Sequence, residues 1–565
     1  MKWFKNKKRP VDFDEILLDL SNLPASNMTR LEGRRELPVA TNNIYLVGFL
    51  FLLIAGGFFF KIYLLQIIQG KDYRTISDNN SVSKTVIIAE RGVINDRNGE
   101  PLIWNDRDFS DRYDFPVRAY TDRLGLGQLL GYVSYPQKDK YGFYYRTEYI
   151  GRTGVESAFE NLLHGKNGQK IVEVDALDKM VGEHVISESV SGGELKLSID
   201  AGLSEAMYQI IASSSKQANF RSGAAAIMDV HTGEMLAMTS FPSYDPEVMA
   251  DGNDVEKINS YNNDNRFPFL NKVVSGLYTP GSIVKPFVAY GALAEKIIDP
   301  NKIIVSNGKI TIPNPYNPDQ PSVYKDWRVQ GQMTMREGIA FSSNVYFYTI
   351  GGGFGDQPGL GITKMDKYFN LFGLGDKTGI EIATEPTGTV PSPEWKQKVF
   401  GDEWRLGDTY FTAIGQYGFQ QTPLQMLRAY AVLANGGLLL TPHVVLGKIS
   451  DQIDLKLDPS YLKIIHEGMR KTVNYPGGTA RPLERTDVAI AAKSGTAQVG
   501  EGNIFVNSWA AGFWPYEKPR YAFVLLMEKA PSNNTLGATR VMGQVFDWMA
   551  SHHPEYFGSE SDIIE

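Results

Sequence analysis

From Ile44 to Phe60 the chain runs seventeen residues without a charge. A bilayer span needs roughly 20 apolar residues, so the run alone is slightly short. Ile62-Tyr63-Leu64-Leu65 extends it, and Lys61 can lay its stem along apolar surface while its amine reaches the headgroups. A helix apolar on every side is either a buried core helix or a membrane span. The basic residues Lys2, Lys5, Lys7, Lys8 and Arg9 ahead of it favour a span with the N-terminus in the cytoplasm. The run is too far from the start, and lacks the small-residue cleavage site, to be a removable signal. One uncleaved, single-pass anchor over 44–66 is expected, with the chain beyond it outside the cytoplasmic membrane.

The 565 residues are 42% apolar, enough for two or more folded domains. A net charge of −7 and no basic stripe exclude a nucleic-acid partner. The absence of cysteine excludes disulfides, thiolate nucleophiles and cysteine metal ligands. The histidines His164, His184, His231, His443, His466, His552 and His553 show no metal-ligand spacing beyond the last pair, and read as surface or turn residues.

Composition divides the rest. Residues 1–43 form a polar cytoplasmic tail in which Leu17-Leu18-Asp19-Leu20 could make a short amphipathic turn. Residues 67–195 alternate short β-runs with turn signals, such as Asn98-Gly99, and contain a helical pattern from Val155 to Leu163. A second domain runs over 196–551. Ala224–Asp229 and Glu234–Met238 flank the hairpin signal His231-Thr232-Gly233, with Asp229 and Glu234 in structural roles. Helical segments are expected around Ser282, Ser342 and Gln425. Val488–Val499, Trp509–Phe513 and Tyr521–Met527 read as antiparallel strands. Strands at both ends with helices between give an α+β domain, one antiparallel sheet covered by helices. Residues 552–565 form a C-terminal tail, acidic over Glu560–Glu565.

Three short motifs stand in order along this second domain: Ser282-Ile283-Val284-Lys285, Ser342-Ser343-Asn344 and Lys493-Ser494-Gly495-Thr496. Each alone is weak. Ser-x-x-Lys recurs at Ser81, Ser213, Ser306, Ser322 and Ser460, and Lys377-Thr378-Gly379 repeats the third motif. Context separates them. Ser282 follows Thr279-Pro280-Gly281 and opens the apolar stretch from Phe287 to Leu293, a loop breaking into a helix. A helix N-terminus favours developing negative charge, and Lys285 lies on the same face three residues on. Lys493 follows the buried-strand run Val488–Ala492, whereas Lys377 follows the loop-like Gly373-Leu374-Gly375-Asp376 and reads as a decoy.

Such a set makes an acyl-transfer site without histidine. A serine hydroxyl needs a base, and a lysine serves only when its pKa is lowered by burial or a neighbouring cation. Burial would act on Lys285, and Lys493 would supply the cation. Ser342 can relay the proton to the leaving group, and Asn344 can orient Lys285 and hold the substrate amide. Gly495 would let a substrate backbone lie against the strand, with Ser494 and Thr496 as further substrate-binding residues.

With these motifs the sequence resembles the class B penicillin-binding proteins, whose fold is the penicillin-binding/β-lactamase-like transpeptidase domain. The resemblance extends to Arg91-Gly92-Val93-Ile94-Asn95-Asp96-Arg97-Asn98-Gly99 and to Gly151, Gly154 and Glu156 in the β-rich pedestal (dimerisation-like) domain. Pro391-Ser392-Pro393-Glu394-Trp395-Lys396, Gly407-Asp408-Thr409 and Thr422-Pro423-Leu424-Gln425 are most similar to the elongation type. Gly415-Gln416-Tyr417-Gly418 departs from the family's frequent Gly-Gln-Gly-Tyr. Some relatives hold zinc near the site with Asp, His and Cys. Here Asp326 stands, but Gln332 is near the expected histidine and Ser343 at the expected cysteine, so no metal and no cofactor is expected.

The resemblance implies a monofunctional D,D-transpeptidase that cross-links peptidoglycan stem peptides ending in D-Ala-D-Ala and is acylated by β-lactams. It implies an oxyanion hole from the backbone N–H groups of Ser282 and Thr496. It also implies a SEDS-family (RodA-like) glycosyltransferase partner and an MreC-like scaffold partner. A division-type (septal) transpeptidase, a catalytically silent scaffold or β-lactam sensor, and a β-lactamase remain the alternatives. The intact motifs and the short tail weigh against the sensor, and the long pedestal against the β-lactamase.

Overall fold

The computed structural model describes residues 40–74, 82–106, 113–140, 144–174, 180–314, 317 and 319–558. The readings of Leu17–Leu20 and of Glu560–Glu565 lie outside the described residues. The chain divides into two compact units, Met1–Ser83 with Val172–Gly182, and Lys84–Ile171 with Glu183–Glu565.

In the first unit, helix α1 (Thr41–Tyr63) continues as a wider turn over Leu64–Ile68, and none of it is buried. The helix therefore begins inside the expected tail. Its 28 residues, Thr41–Ile68, would reach about 42 Å at 1.5 Å per residue, ample for the hydrocarbon core.

The second unit begins with short strands. β1 (Ile94–Asn95), β2 (Pro101–Asp106), β3 (Val117–Tyr120) and β4 (Leu195–Lys196) form a sheet in the order β4-β1-β2-β3. Asp96 makes the β1–β2 turn by accepting from the amides of Asn98 and Glu100, both at 2.8 Å, while Gly99 takes φ +85°. The pattern expected as one helix over Val155–Leu163 is broken at Phe159 into Gly154–Ala158 and Glu160–Leu163. The two pedestal motifs meet through charge. The fully buried Glu156 accepts from Arg91 at 2.5 Å and from Arg118 at 2.8 Å. Arg91 also bonds Glu160 at 2.7 Å, and Arg118 donates to the Gly92 carbonyl at 2.6 Å. Buried charges persist only when so paired.

Beyond β4, helix α2 (Ala201–Ala218) precedes the hairpin β5 (Ser222–Asp229) and β6 (Met235–Phe241). Asp229 closes its turn by accepting from the amides of His231 and Thr232. α3 (Lys285–Ala294) follows. Two small ribbons come next: β7 (Ile304–Ser306) pairs with β10 (Gly331–Met333), and β8 (Lys309–Ile312) with β9 (Ser322–Lys325). The helices α4 (Met335–Ala340), α5 (Asn344–Gly352), α6 (Pro423–Ala434) and α7 (Pro459–Asn474) lead to β11 (Ala491–Val499), β12 (Phe505–Trp514) and β13 (Tyr521–Pro531). Helix α8 (Ala538–His552) closes the domain.

The large sheet is antiparallel in the order β6-β5-β13-β12-β11, so chain ends meet at its centre and β11 is an edge. Alternate residues face opposite sides. Ala225, Ile227, Phe523 and Leu525 pack with Leu203, Met207, Val545 and Phe546 of α2 and α8. Ala224, Ala226, Val524 and Leu526 belong to the other core, with Leu427 and Tyr430 of α6. Covering on both faces explains why β5 reads as an unbroken small apolar run. Every residue of α6 is buried, and it enters through a capping box of Thr422 and Gln425.

Candidate active site

Ser282 lies on a single 3-10 turn, Gly281–Val284, and the α-helix starts only at Lys285. The expected helix start thus falls three residues late, because Pro286 fits the first helical turn and the tighter turn precedes it. Residues three apart eclipse in a 3-10 turn, so Ser282 and Lys285 still share a side. The turn is gripped by buried neighbours. Tyr430 of α6 donates to the Ile283 carbonyl at 2.7 Å, and Trp509 of β12 to the Thr279 carbonyl at 2.9 Å. The Gly281 amide donates to the Gly415 carbonyl at 3.0 Å. A Cβ on Gly415 would stand 2.2 Å from the Gly281 oxygen, so only glycine admits this approach.

Lys285 is wholly buried. Its Nζ donates to the Ser342 carbonyl at 2.7 Å, the Ser342 hydroxyl at 3.3 Å and the Asn344 side-chain oxygen at 2.8 Å. Burial lowers its pKa to about 7, opposed by the negative field of Asp326. No hydrogen bond joins it to the Ser282 hydroxyl among the described residues.

Ser342 was expected within a helix. It sits instead in the turn between α4 and α5 with φ +55°. That left-handed conformation is costly for a residue with a side chain and persists where surroundings enforce it. Two sets of contacts do so. Trp327 and Gln330 donate to the Phe341 carbonyl just before it, at 3.2 and 3.3 Å. Asp326 accepts from the amides of Asn344 and Val345 just after it, at 2.9 and 3.2 Å.

Lys493 stands on the edge strand β11, fully buried, its Nζ donating to the Ser494 carbonyl at 3.0 Å. Its pKa is pushed well below the usual lysine value by burial first and by the charge of Lys285 second. The two buried cations disfavour each other's charge, and burial is the first cause of the lowered pKa at both. Lys285 has three oxygens and a nearby carboxylate to support its charge, and Lys493 has one carbonyl. Alternation along β11 buries Lys493, Gly495 and Ala497 and leaves Thr496 exposed and Ser494 half-buried. A Cβ on Gly495 would meet Ile283 at 2.9 Å and the Pro280 carbonyl at 3.0 Å. Its missing side chain makes room for the Ser282 turn.

Sequence reasoning missed Thr479, which joins the third motif to the end of α4. Its hydroxyl accepts from Ser494 at 2.6 Å and its amide donates to the Ala340 carbonyl at 3.2 Å. The Gly477-Gly478 pair before it marks a tight turn but not its partner. Lys377 lies in a loop where Glu385 binds the amides of Thr378 and Gly379. Two histidines depart from the surface reading. His443 is fully buried between the carbonyls of Val445 and Thr232, and His466 packs on Phe513 with its pKa lowered by burial. The Tyr346-Phe347-Tyr348 run packs α5 into the core.

The residues around Asp326 do not fit a metal. Ser343 and Ser306 give it hydroxyl protons at 2.6 and 3.1 Å, and no cluster of three potential ligands occurs among the described residues.

Residues 223–547 match the penicillin binding protein transpeptidase domain, more than half of the chain. The chain belongs to the penicillin-binding protein family. Residues 112–197 match the penicillin-binding protein dimerisation domain, which makes it a class B member. The peptidoglycan D,D-transpeptidase MrdA of Escherichia coli K12 is 28% identical, over 89% of this chain and 93% of that one. A complex between penicillin-binding protein (PBP2) and MreC from Helicobacter pylori superposes with TM-score 0.68 at 27% identity, covering 83% of this chain and 99% of that one. A chain from a peptidoglycan synthase complex that coordinates polymerization and crosslinking gives TM-score 0.70 at 26% identity, covering 92% and 99%. These relatives identify the chain as an elongation-type penicillin-binding protein.

Proposed function

We propose that this penicillin-binding protein cross-links peptidoglycan stem peptides during elongation through an acyl-enzyme on Ser282. The carrying observation is the buried Lys285 amine, pKa about 7, directed at Ser342 and Asn344 directly behind the nucleophile turn. The Ser282 hydroxyl attacks the carbonyl between two terminal D-alanines. Lys285, neutral in part at pH 7, takes the proton as the two groups draw together on substrate binding, a closure that unliganded sites often await. The amides of Ser282 and Thr496 hold the oxyanion, each donor lowering the barrier by roughly 3 kcal/mol. Collapse breaks the amide bond. The proton passes from Lys285 through Ser342 to the leaving D-alanine amine, and an ester remains on Ser282. An amine from a neighbouring stem peptide then attacks the ester, its proton returns through Lys285 to Ser282, and a cross-link forms. Lys493, Ser494 and Thr496 bind the terminal carboxylate, and the outer edge of β11 offers backbone groups to the peptide.

A monofunctional division of labour follows: anchor over 44–66 with a cytoplasmic N-terminus, pedestal over 67–195, catalysis over 196–551. Glycan polymerisation falls to a SEDS-family (RodA-like) partner, and an MreC-like scaffold docks on the pedestal. The synthase-complex and MreC-bound relatives support both assignments.

The test is intact-mass spectrometry of the chain after penicillin, with Ser282→Ala alongside. A persistent adduct of drug mass on the parent alone is expected. Equal labelling of both, or of neither, would refute the assignment.

A further inference from the structure

The two-ribbon lobe between α3 and α4 delivers one carboxylate to the second motif. Asp326 follows β9 directly, and its amide is fixed to the Gly308 carbonyl at 2.8 Å. Its oxygens receive five hydrogen bonds. One oxygen takes the amides of Asn344 and Trp327, both at 2.9 Å. The other takes the hydroxyls of Ser343 and Ser306 and the amide of Val345, at 2.6, 3.1 and 3.2 Å. Ser343 and Ser306 are fully buried, so neither hydroxyl has water as an alternative partner. The Ser343 hydroxyl also accepts from the Tyr346 amide at 3.2 Å as the α5 cap. The carboxylate thus lies at the N-terminus of α5, where unpaired amides and the helix dipole favour an anion. The same lobe fixes the Phe341 carbonyl through Trp327 and Gln330. Ser342 is held on both sides, and its strained backbone presents its hydroxyl and carbonyl to Lys285.

We propose that Asp326 is a positioning residue for acyl transfer, holding the Ser342-Ser343-Asn344 turn in register with Lys285 through hydrogen bonds alone. The proposal rests on the reading of Lys285 as the base. The charged groups facing Lys285 are Lys493 from β11 and Asp326 from the lobe. Asp326 therefore acts twice: it fixes the acceptors of the Lys285 amine, and its charge holds that amine's pKa up. A residue needed only for folding would not do the second.

The experiment measures fluorescent-penicillin acylation of the full chain in detergent, across pH, with melting curves for each variant. Asp326→Asn keeps the shape and removes the charge. Acylation is expected to slow by roughly 10- to 100-fold, as for a misplacement of about 1 Å, and its acid limb to move to lower pH. Ser343→Ala removes the hydrogen bonds to Asp326 and from the Tyr346 amide and leaves the charge, so its rate should fall while the limb stays. Parent acylation in the same assay, absent in Ser282→Ala, separates this proposal from the functional reading beneath it. An Asp326→Asn rate equal to the parent's would overturn the proposal. So would a loss matched by the fall in folded fraction with an unmoved acid limb. Loss of parent activity on chelation, restored by zinc, would also overturn it, since a metal would then hold the turn.

Discussion

Replacing Gly415 by alanine tests whether the nucleophile turn is placed by backbone contact. The added Cβ would stand 2.2 Å from the Gly281 oxygen, 2.8 Å from its carbonyl carbon and 2.9 Å from its nitrogen. Ordinary contact begins near 3.4 Å, so the two backbones must part by about 1.2 Å. Neither side yields cheaply. Gly415 has φ +72°, which costs a residue with a side chain about 1–2 kcal/mol, and Gly281 has φ +58°. Parting also stretches the 3.0 Å bond from the Gly281 amide to Gly415. Ser282 is the next residue and moves with it. A displacement near 1 Å at a reacting group costs roughly 100-fold in rate. Gly415→Ala should therefore slow fluorescent-penicillin acylation by about two orders of magnitude, while the melting temperature falls by several degrees, for about 1–2 kcal/mol of left-handed strain and about 1–3 kcal/mol of overpacking. Stopped-flow acylation and differential scanning fluorimetry on one preparation decide it. Parent-like acylation, or a rate loss explained wholly by unfolding, would refute the reasoning.

Acylation by the parent should fall about tenfold per pH unit below about 7, because Lys285 acts in its neutral form and burial has brought its pKa there. A rate flat from pH 8 to pH 5 would remove Lys285 as the base. Glu156→Gln leaves two buried guanidiniums against a neutral amide and should destabilise by roughly 3–5 kcal/mol, read by denaturant melts of the pedestal signal. Unchanged melts would mean that water reaches the cluster. Thr479→Val removes the acceptor of the Ser494 hydroxyl and should weaken capture of the drug's carboxylate about tenfold, given a charge-assisted site with one hydroxyl left unpaired. Titrating acylation against penicillin concentration separates this from a slower chemical step.

Ser282, Lys285, Ser342, Asn344 and Lys493 could be singled out as candidates from sequence because each sits in a short motif, and the structure joins Lys285, Ser342 and Asn344 by hydrogen bonds. The run before Lys493 is the unbroken apolar stretch of a buried strand, and Pro280-Gly281 breaks into a helix. What stayed hidden depends on partners far along the chain. The left-handed turn at Ser342 is imposed by Asp326 and Gln330, which local propensity cannot show. The room at Gly495 is filled by Ile283, more than two hundred residues earlier. The buried state of His443 depends on Thr232. The lowered pKa of both lysines follows from their burial, a tertiary property.

The grip of Tyr430 on Ile283 decides where this site can give way. The wholly buried helix α6 is tied to the turn beside Ser282, so that turn is bolted to a helix with no exposed residue. The second motif hangs on the lobe of two small ribbons, in and beside which Ile303, Val305, Val323 and Val329 are exposed. Local opening is cheapest where few apolar contacts are buried. Motion at this site therefore begins in the outer strands of the ribbons, while Ser282 on one side and the hydrogen-bonded Asp326 on the other keep their places.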